Sequence, residues 1–350
     1  MSWIVSLLVL SALIFFHELG HYMMAKAMGV YVEVFSIGFG KRLATFRAFN
    51  SEWSISAIPL GGYVKMKGQD DSDPTKKSYD KDSYNTKTPT QKILILLAGP
   101  LANFILAFIL YFAIALGGPN VLSPVIGDVL KNSPAFEAGL ESNDTIKSIN
   151  GVKIDSWKDM AEIISSSNTP LKLEILRDTH IKNILLTPKL QDATNMYGEK
   201  VQRKMIGISS AGVTHKLKLG FFETFKYASE QTVFASTMIF TSVKKLILGD
   251  VPANQLGGVI SIVKLTSDAT AAGWMSVLFF TALISVNLGV LNLLPIPALD
   301  GGHIMFNLYE LITRKTASEW VIVKLTIAGW VLLAMLMGLG LYNDINRLIG

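Results

Sequence analysis

Four long apolar blocks constrain this sequence more than any other feature. Each is long enough to cross about 30 Å of hydrocarbon as a helix of roughly 20 residues. Charged residues make up only 17% of the chain, whereas about a quarter is usual in soluble proteins. The blocks are Trp3 to Met24, Ile93 to Leu116, Trp274 to Leu294 and Leu325 to Asn343. The sequence therefore predicts a polytopic α-helical membrane protein with about four transmembrane helices.

The loops between the blocks predict which side of the membrane each one faces. Basic residues concentrate between the first and second blocks, and again between the third and fourth at Arg314, Lys315 and Lys324. Because short basic loops stay in the cytoplasm, both termini and the long middle segment are predicted to lie outside. These juxtamembrane cations account for the net charge of +5, so we expect a lipid bilayer and no nucleic acid as partner.

The middle segment predicts a small folded insert. Short β-rich runs, a tight-turn signal at Asn150-Gly151 and a helical run from Trp157 to Ser166 indicate one α+β domain. After it, Leu219 to Leu248 combines helical apolar spacing with charges, which is typical of an amphipathic helix on the outer membrane surface. The predicted domains are residues 1–117 with two transmembrane helices, 118–190 with the α+β domain, 191–272 with a linker and the surface helix, and 273–350 with two more transmembrane helices.

His17, Glu18 and His21 lie inside the first apolar block. Ionisable groups at that depth are costly, so their presence indicates a function. They form H-E-x-x-H, which on a helix places both imidazoles on one face and the glutamate beside them. Two histidines bonded to each other in a helix bundle are the structural alternative, but it leaves the carboxylate unexplained. Since the chain has no cysteine, the motif predicts zinc held by imidazole and carboxylate groups.

Asp300 is the best candidate for a third metal ligand. It follows the third block in the run NLGVLNLLPIPALDGGH, where Pro295 and Pro297 cannot continue a regular helix. Such a break can aim a side chain inward, and Gly301-Gly302 permits a tight turn beside it. A surface loop is the alternative interpretation, and His303 is a weaker alternative ligand.

These motifs together resemble the site-2 protease family, and within it the bacterial RseP-like membrane metalloproteases. HELGH and NLLPIPALDGG are similar to the two defining motifs of that family, IPLGGYVKM to its membrane-associated β-hairpin, and AGPLANF to its second-span motif. SPAFEAGL and DTIKSINGVKI resemble stretches of a PDZ domain, of which better-known relatives carry two in tandem. The resemblance implies zinc ligation by His17, His21 and Asp300, with Glu18 as the general base.

The resemblance also implies a function and a location. It implies an intramembrane zinc metalloprotease that cleaves transmembrane segments of single-span membrane proteins, such as an anti-sigma factor or remnant signal peptides, in regulated intramembrane proteolysis. It places the chain in the bacterial cytoplasmic (inner) membrane, with its PDZ domain on the extracytoplasmic side. The alternative is a non-proteolytic membrane PDZ adaptor whose metal is structural.

Candidate substrate contacts follow from the need to unwind a helix before it is cut, because its freed backbone groups require partners. The segment Glu52 to Lys67, with a turn expected at Gly61-Gly62, could offer an edge strand. The amides of Asn287 and Asn292 could clamp an extended backbone, with interhelical hydrogen bonding as the alternative. For Asn103, in the second block, the sequence favours a structural interhelical hydrogen bond.

Overall fold

The computed structural model describes residues 2–69, 78–195 and 197–349. The chain divides into two units, the helical unit (Met1–Ile114 and Thr224–Gly350) and the insert unit (Ala115–Glu223). The helices are α1 (Ser2–Ala27), α2 (Pro89–Leu116), α3 (Pro134–Glu137), α4 (Trp157–Ser166), α5 (Phe221–Leu248), α6 (Val259–Ala271), α7 (Trp274–Asn292), α8 (Asp300–Thr313) and α9 (Glu319–Ile349).

The strands divide between the two units. Two long strands belong to the helical unit, β1 (Val32–Ala48) and β2 (Ser51–Met66). The insert unit contains β3 (Asn120–Leu122), β4 (Ile126–Val129), β5 (Thr145–Ile149), β6 (Val152–Lys153), β7 (Leu171–Arg177), β8 (His180–Leu186), β9 (Lys189–Thr194), β10 (Lys200–Met205), β11 (Ile208–Ser210) and β12 (Thr214–Lys216).

Four helices of the helical unit, α1, α2, α7 and α9, are long and apolar enough to cross a membrane. They coincide with the four predicted blocks. The third block was predicted to end at Leu294, and α7 ends two residues earlier, at Asn292. The helix α9 begins before the fourth block and extends beyond it, because polar flanking residues continue the helix where the apolar pattern stops.

The core between α2, α5 and α7 is built from small and aromatic side chains. Tyr111 of α2 is 1% exposed, and it packs in one cluster with Ala228 and Ala235 of α5 and with Ala282 and Val286 of α7. Alanine lets helix backbones approach closely. The sequence predicted a helix at α5 and placed it on the membrane surface. One face of that helix contributes to this core, while its phenylalanines on other faces stay exposed.

A buried carboxylate joins α6 to α9. Asp344, which is 2% exposed, accepts hydrogen bonds from the backbone N–H groups of Gly258 and Ser261, both at 3.0 Å, and from the Ser261 hydroxyl. It thereby satisfies N–H groups at the start of α6, which have no partner inside the helix. The segment that contains α6 was predicted as part of a linker.

The strands β1 and β2 form a sheet that folds back on itself. Phe35 of β1 pairs with Trp53 on one side and with Val64 on the other, and Trp53 also pairs with Phe46. The chain reverses at Phe49-Asn50, where both residues have positive φ. This two-residue turn suits the twist of a hairpin. The direction of β2 also reverses between Ile55 and Gly62, because residues 52–55 advance together with residues 34–37 of β1, while the outer segment Gly62–Met66 runs antiparallel to them. The turn expected at Gly61-Gly62 therefore lies next to a reversal of the chain, and Gly61 has positive φ, although both glycines fall within the bounds of β2.

The insert unit contains a four-stranded sheet in the order β6-β5-β7-β8. Its core includes Ile146, Leu173 and Met160, each at most 1% exposed. The β5–β6 turn lies at Asn150-Gly151, as predicted, with positive φ at both residues. The unit extends past residue 190, where the sequence placed its end, because β11 pairs with β4 and β12 with β3. Three-residue strands are too short to leave a recognisable alternation.

Candidate metal centre

Two imidazoles of α1 face one point. His17 and His21 are separated by one helical turn, so their side chains lie on one face of α1. Their Nε2 atoms are 3.2 Å apart, and the rings meet edge to face with centroids at 4.8 Å. Two nitrogens that approach each other in this way can share one cation.

The carboxylate of Asp300 reaches the same point from the other end of the chain. Asp300 is the first residue of α8, and its Oδ2 lies 3.2 Å from Nε2 of His17 and 3.4 Å from Nε2 of His21. A Cβ at Gly301 would clash with the carbonyl oxygens of Leu294 and Leu293. The missing side chain therefore lets α8 begin directly against the end of α7, which sets the position of the carboxylate.

The three atoms fit a zinc ion. An ion placed among atoms at these separations would lie about 2 Å from each, which is the length of Zn–N and Zn–O bonds. Among the described residues, Oδ2 of Asp300 is buried and accepts no hydrogen bond, and such a carboxylate oxygen requires a cationic partner. His17, His21 and Asp300 also form a group of potential ligands that could hold a metal ion.

The helix α2 supports both histidines from behind. The Nδ1 atom of His21 lies 2.8 Å from the carbonyl oxygen of Ile95, and the amide nitrogen of Asn103 lies 3.3 Å from Nδ1 of His17. A Cβ at Gly99 would lie closer than 3.0 Å to the ring of His21. The interhelical hydrogen bond expected of Asn103 is present, but its partner His17 was not predicted. The G-P-x-x-N spacing after an H-E-x-x-H helix is the signal that could have indicated it.

A cavity of about 750 Å³ opens onto this cluster. Its lining includes the three clustered residues and Glu18, together with Gly62 of β2 and Asn292 at the end of α7. A Cβ on Gly62 would lie 3.2 Å from Cγ of Glu18, so the sheet passes directly beside that glutamate. The predicted contact residues Gly61 and Asn287 are not among the described residues that line this cavity.

The cavity has a polar end. Lys92 of α2 and Glu310 of α8 line it and form an ion pair at 3.6 Å, with side chains that are 13% and 24% exposed. Thr316 and Ser318, from the connection between α8 and α9, add hydroxyl groups to the lining. Water can therefore find hydrogen-bonding partners between the cluster and this connection. His303 lines the cavity too, outside the three-residue cluster.

Chemically, this arrangement is suited to hydrolysis. Two imidazoles and one carboxylate leave a position free on a four-coordinate zinc ion, as in catalytic zinc sites. A further carboxylate, Glu18, lines the same cavity without belonging to the cluster. Such a group can move a proton while the ion activates the reacting groups.

Comparison with known proteins gives one family. Peptidase family M50 matches residues 5–336. A protein of Campylobacter jejuni named as a zinc metalloprotease is 46% identical over 349 residues, which cover 100% of this chain and 94% of the relative. A Helicobacter pylori protein of the same description is 41% identical, with 99% and 100% of the two chains covered.

A more distant relative and one solved structure complete the comparison. A protein of Clostridium acetobutylicum, also named as a zinc metalloprotease, is 34% identical over 95% of this chain and 94% of its own. The PDZ domain of an SdrC-like protein from Listeria monocytogenes matches with a TM-score of 0.20 and 21% identity, over 25% of this chain and 85% of that domain.

Proposed function

The chain belongs to peptidase family M50, the site-2 protease family, and is a zinc metalloprotease, and we propose from this premise that it cleaves the transmembrane segments of single-span membrane proteins. The observation that carries the proposal is the position of the cluster. His17 and His21 lie within α1, a helix apolar and long enough to span a membrane, and Asp300 meets them beside α7. A peptidase site built on such helices acts on substrates that reach it through the membrane.

We assign the metal to His17, His21 and Asp300, and the general base to Glu18. When bound, zinc supplies Lewis-acid activation of water and of the scissile carbonyl group. Glu18 accepts the proton of the attacking water and returns it to the leaving amine. The fixed contact of His21 with the Ile95 carbonyl oxygen, at 2.8 Å, holds the ring in one orientation throughout.

The polar end of the cavity supplies water. The ion pair between Lys92 and Glu310 and the hydroxyl groups of Thr316 and Ser318 form a hydrophilic path between the α8–α9 connection and the cluster. Proteolysis consumes water, and a site at membrane depth needs such a path because the hydrocarbon around it holds none.

The outer segment Gly62–Met66 of β2 is the proposed docking site for an unwound substrate. This segment pairs with β1 on one side, and four of its residues, Gly62, Tyr63, Val64 and Met66, line the cavity. An extended peptide could therefore add along the side of this segment that faces the cavity, through backbone hydrogen bonds. Asn292, also in the lining, would bond the substrate backbone near the metal. Gly61 and Asn287 remain predicted contacts of the same peptide.

We propose further that the chain is a bacterial inner-membrane enzyme of regulated intramembrane proteolysis. Its expected substrates are an anti-sigma factor or remnant signal peptides. The insert unit is assigned as an extracytoplasmic PDZ domain, on the basis of its sequence motifs and of the sheet order β6-β5-β7-β8 with two helices. The alternative of a non-proteolytic adaptor is not retained, because the chain belongs to a peptidase family.

The variant Glu18→Gln tests the assignment of the base. It keeps the size of the side chain and the three proposed ligands, so we expect one zinc ion per chain and a loss of turnover of about 10²–10⁴-fold. The assay is cleavage of a reporter transmembrane segment by purified protein in proteoliposomes, with zinc measured by mass spectrometry. Glu230→Gln, the same change at an exposed position of α5 that is not among the residues lining the cavity, should retain most of the activity. Unchanged turnover in Glu18→Gln would remove the glutamate from the mechanism.

A further inference from the structure

The two clustered histidines differ in what their second ring nitrogen contacts. A neutral imidazole carries one N–H, so Nε2 can offer its lone pair to a metal only when the proton is on Nδ1. For His21 this is settled by the backbone, because Nδ1 lies 2.8 Å from the carbonyl oxygen of Ile95, and a carbonyl oxygen can only accept. His21 therefore always presents the nitrogen lone pair to the cluster.

For His17 the partner is an amide that can both donate and accept. The side-chain nitrogen of Asn103 lies 3.3 Å from Nδ1 of His17. In this orientation the amide donates, Nδ1 accepts, and the proton of His17 lies on Nε2, where it points into the cluster. That state has no free lone pair for a metal.

The other orientation of the same amide reverses the roles. Asn103 is fully buried, and among the described residues its Oδ1 has no hydrogen-bond partner. A half-turn of the amide group exchanges its oxygen and nitrogen within nearly the same volume. The oxygen then faces Nδ1–H of His17, which gains an acceptor, and Nε2 is left with its lone pair directed at Asp300 and His21.

The backbone of Asn103 is held independently of its side chain. The hydroxyl group of Ser285 on α7 donates to the carbonyl oxygen of Asn103 at 2.7 Å, and Ser285 is fully buried. The residue thus stays in reach of His17 while its amide turns. Three helices meet at this point: α1 supplies the imidazole, α2 the amide and α7 the hydroxyl.

We propose that Asn103 is a positioning residue that selects the tautomer of His17, and that its amide oxygen holds the proton on Nδ1 when zinc is bound. The inference rests on the proposed roles of His17, His21 and Asp300. Metal-bound histidines commonly donate their other N–H to an oxygen acceptor, and loss of that acceptor weakens metal affinity about 10–100-fold. Asn103 would supply the acceptor for one histidine, as Ile95 does for the other.

Asn103→Leu and Asn103→Asp separate this role from packing. Leucine fills a similar volume without an acceptor, so zinc affinity, measured by competition with a chelator, should fall about 10–100-fold. Aspartate keeps an acceptor at the same position and should restore most of the affinity. The matched control is Asn343→Leu, which removes a buried asparagine that donates to the carbonyl oxygens of Ala253 and Leu256 and should leave zinc affinity unchanged.

The outcomes are distinct. Weak binding by Asn103→Leu with recovery in Asn103→Asp supports the role. Equal zinc affinity in wild type and Asn103→Leu overturns it while leaving the metal site intact, whereas absence of stoichiometric zinc from the wild type would overturn the proposed function itself. If Asn103→Leu does not fold, Asn103→Ala is measured in its place. Zinc affinity lost equally in the leucine and aspartate variants would show that the amide serves packing alone.

Discussion

Gly99 lies against the ring of His21, so closely that a Cβ at position 99 would come within 3.0 Å of Nε2. Real Cβ atoms essentially never approach another atom that closely. The glycine on α2 thus creates the space that an imidazole of α1 occupies, and the Ile95 carbonyl oxygen one turn earlier holds the same ring at 2.8 Å. The position of the metal cluster is therefore set as much by α2, which supplies none of the proposed ligands, as by α1.

We predict that Gly99→Ala displaces His21 and weakens zinc binding. The added methyl group cannot fit without moving the ring away from Asp300, so we expect affinity to fall roughly tenfold or more. Zinc competition with a chelator gives the measurement. Gly338→Ala on α9 is the control, because a Cβ there meets nothing within 4 Å, and alanine in a helix stabilises by about 0.5–1 kcal/mol. Undiminished affinity in Gly99→Ala would show that the helices can separate to admit the methyl group.

We predict that removal of zinc destabilises the helical unit. An ion that binds only the folded chain adds about 4 kcal/mol to the free energy of unfolding when free zinc exceeds the dissociation constant about 1,000-fold. Thermal unfolding in detergent, with and without chelator, should therefore show a lower transition temperature for the stripped protein, reversed by zinc. Asp300→Ala should unfold at the lower temperature in both conditions. A transition temperature that does not change when zinc is removed or added would mean that the three residues hold no ion.

We predict that acid weakens the insert unit through Asp144. This fully buried carboxyl group loses solvation, which raises its pKa, but hydrogen bonds from Arg177 at 2.7 and 2.8 Å and from the backbone of Glu141 outweigh that effect, so its pKa is lowered. Because the pKa is lower in the folded state, the stabilisation is complete above the unfolded value of about 3.9. It is lost as the pH falls through the folded pKa.

Variants of Asp144 and Arg177 test whether this ion pair causes the pH dependence of the insert unit's stability. Arg177→Met leaves a buried charge without its partner, and we expect a cost of about 3–5 kcal/mol at neutral pH. Asp144→Asn should flatten the dependence on pH. Hydrogen exchange of peptides from β5 and β7, corrected for intrinsic rates, reports the opening of this unit in the full-length chain. An acid response that persists in Asp144→Asn would assign it to other carboxyl groups.

We predict that the insert unit and the α8–α9 connection face opposite sides of the membrane. The chain has no cysteine, so single cysteines can be placed without background. Both Lys182 and Lys315 are exposed. In intact spheroplasts, a membrane-impermeant maleimide should label Lys182→Cys, and should label Lys315→Cys only after permeabilisation. Equal labelling of the two positions before permeabilisation would contradict the orientation inferred from the basic loops.

The sequence was most informative where local chemistry decides the structure. Long apolar runs predicted all four candidate spans, and the Asn150-Gly151 dipeptide predicted its turn, because these features depend on residues close together in the chain. The grouping of His17, His21 and Asp300 was also predicted, since ionisable groups in or beside apolar segments stand out in a sequence. The structure brings them within 3.4 Å of one another.

Contacts between distant segments were harder to predict. The run AGPLANF alone does not show that Gly99 faces His21. A glycine at a close contact can be explained only when the side chain that packs against it is known. The double pairing of β1 and β2 was not predicted for a similar reason. Alternation of apolar and polar residues shows which face of a strand is buried, but it does not show how many strands pair with it. The packed face of α5 consists mainly of alanine and threonine, which carry little hydrophobic signal.

The distance along the chain between His17 and Asp300 has a consequence for biosynthesis. During translation, α1 and α2 enter the membrane long before α8 is made, so the nascent enzyme has two imidazoles and no carboxylate to complete the site. With the assigned ligands, the metalloprotease therefore stays inactive until nearly all of its own helices are inserted. Because the third ligand is synthesised late, proteins near the insertion machinery are not exposed to a complete active site while the chain is still being made.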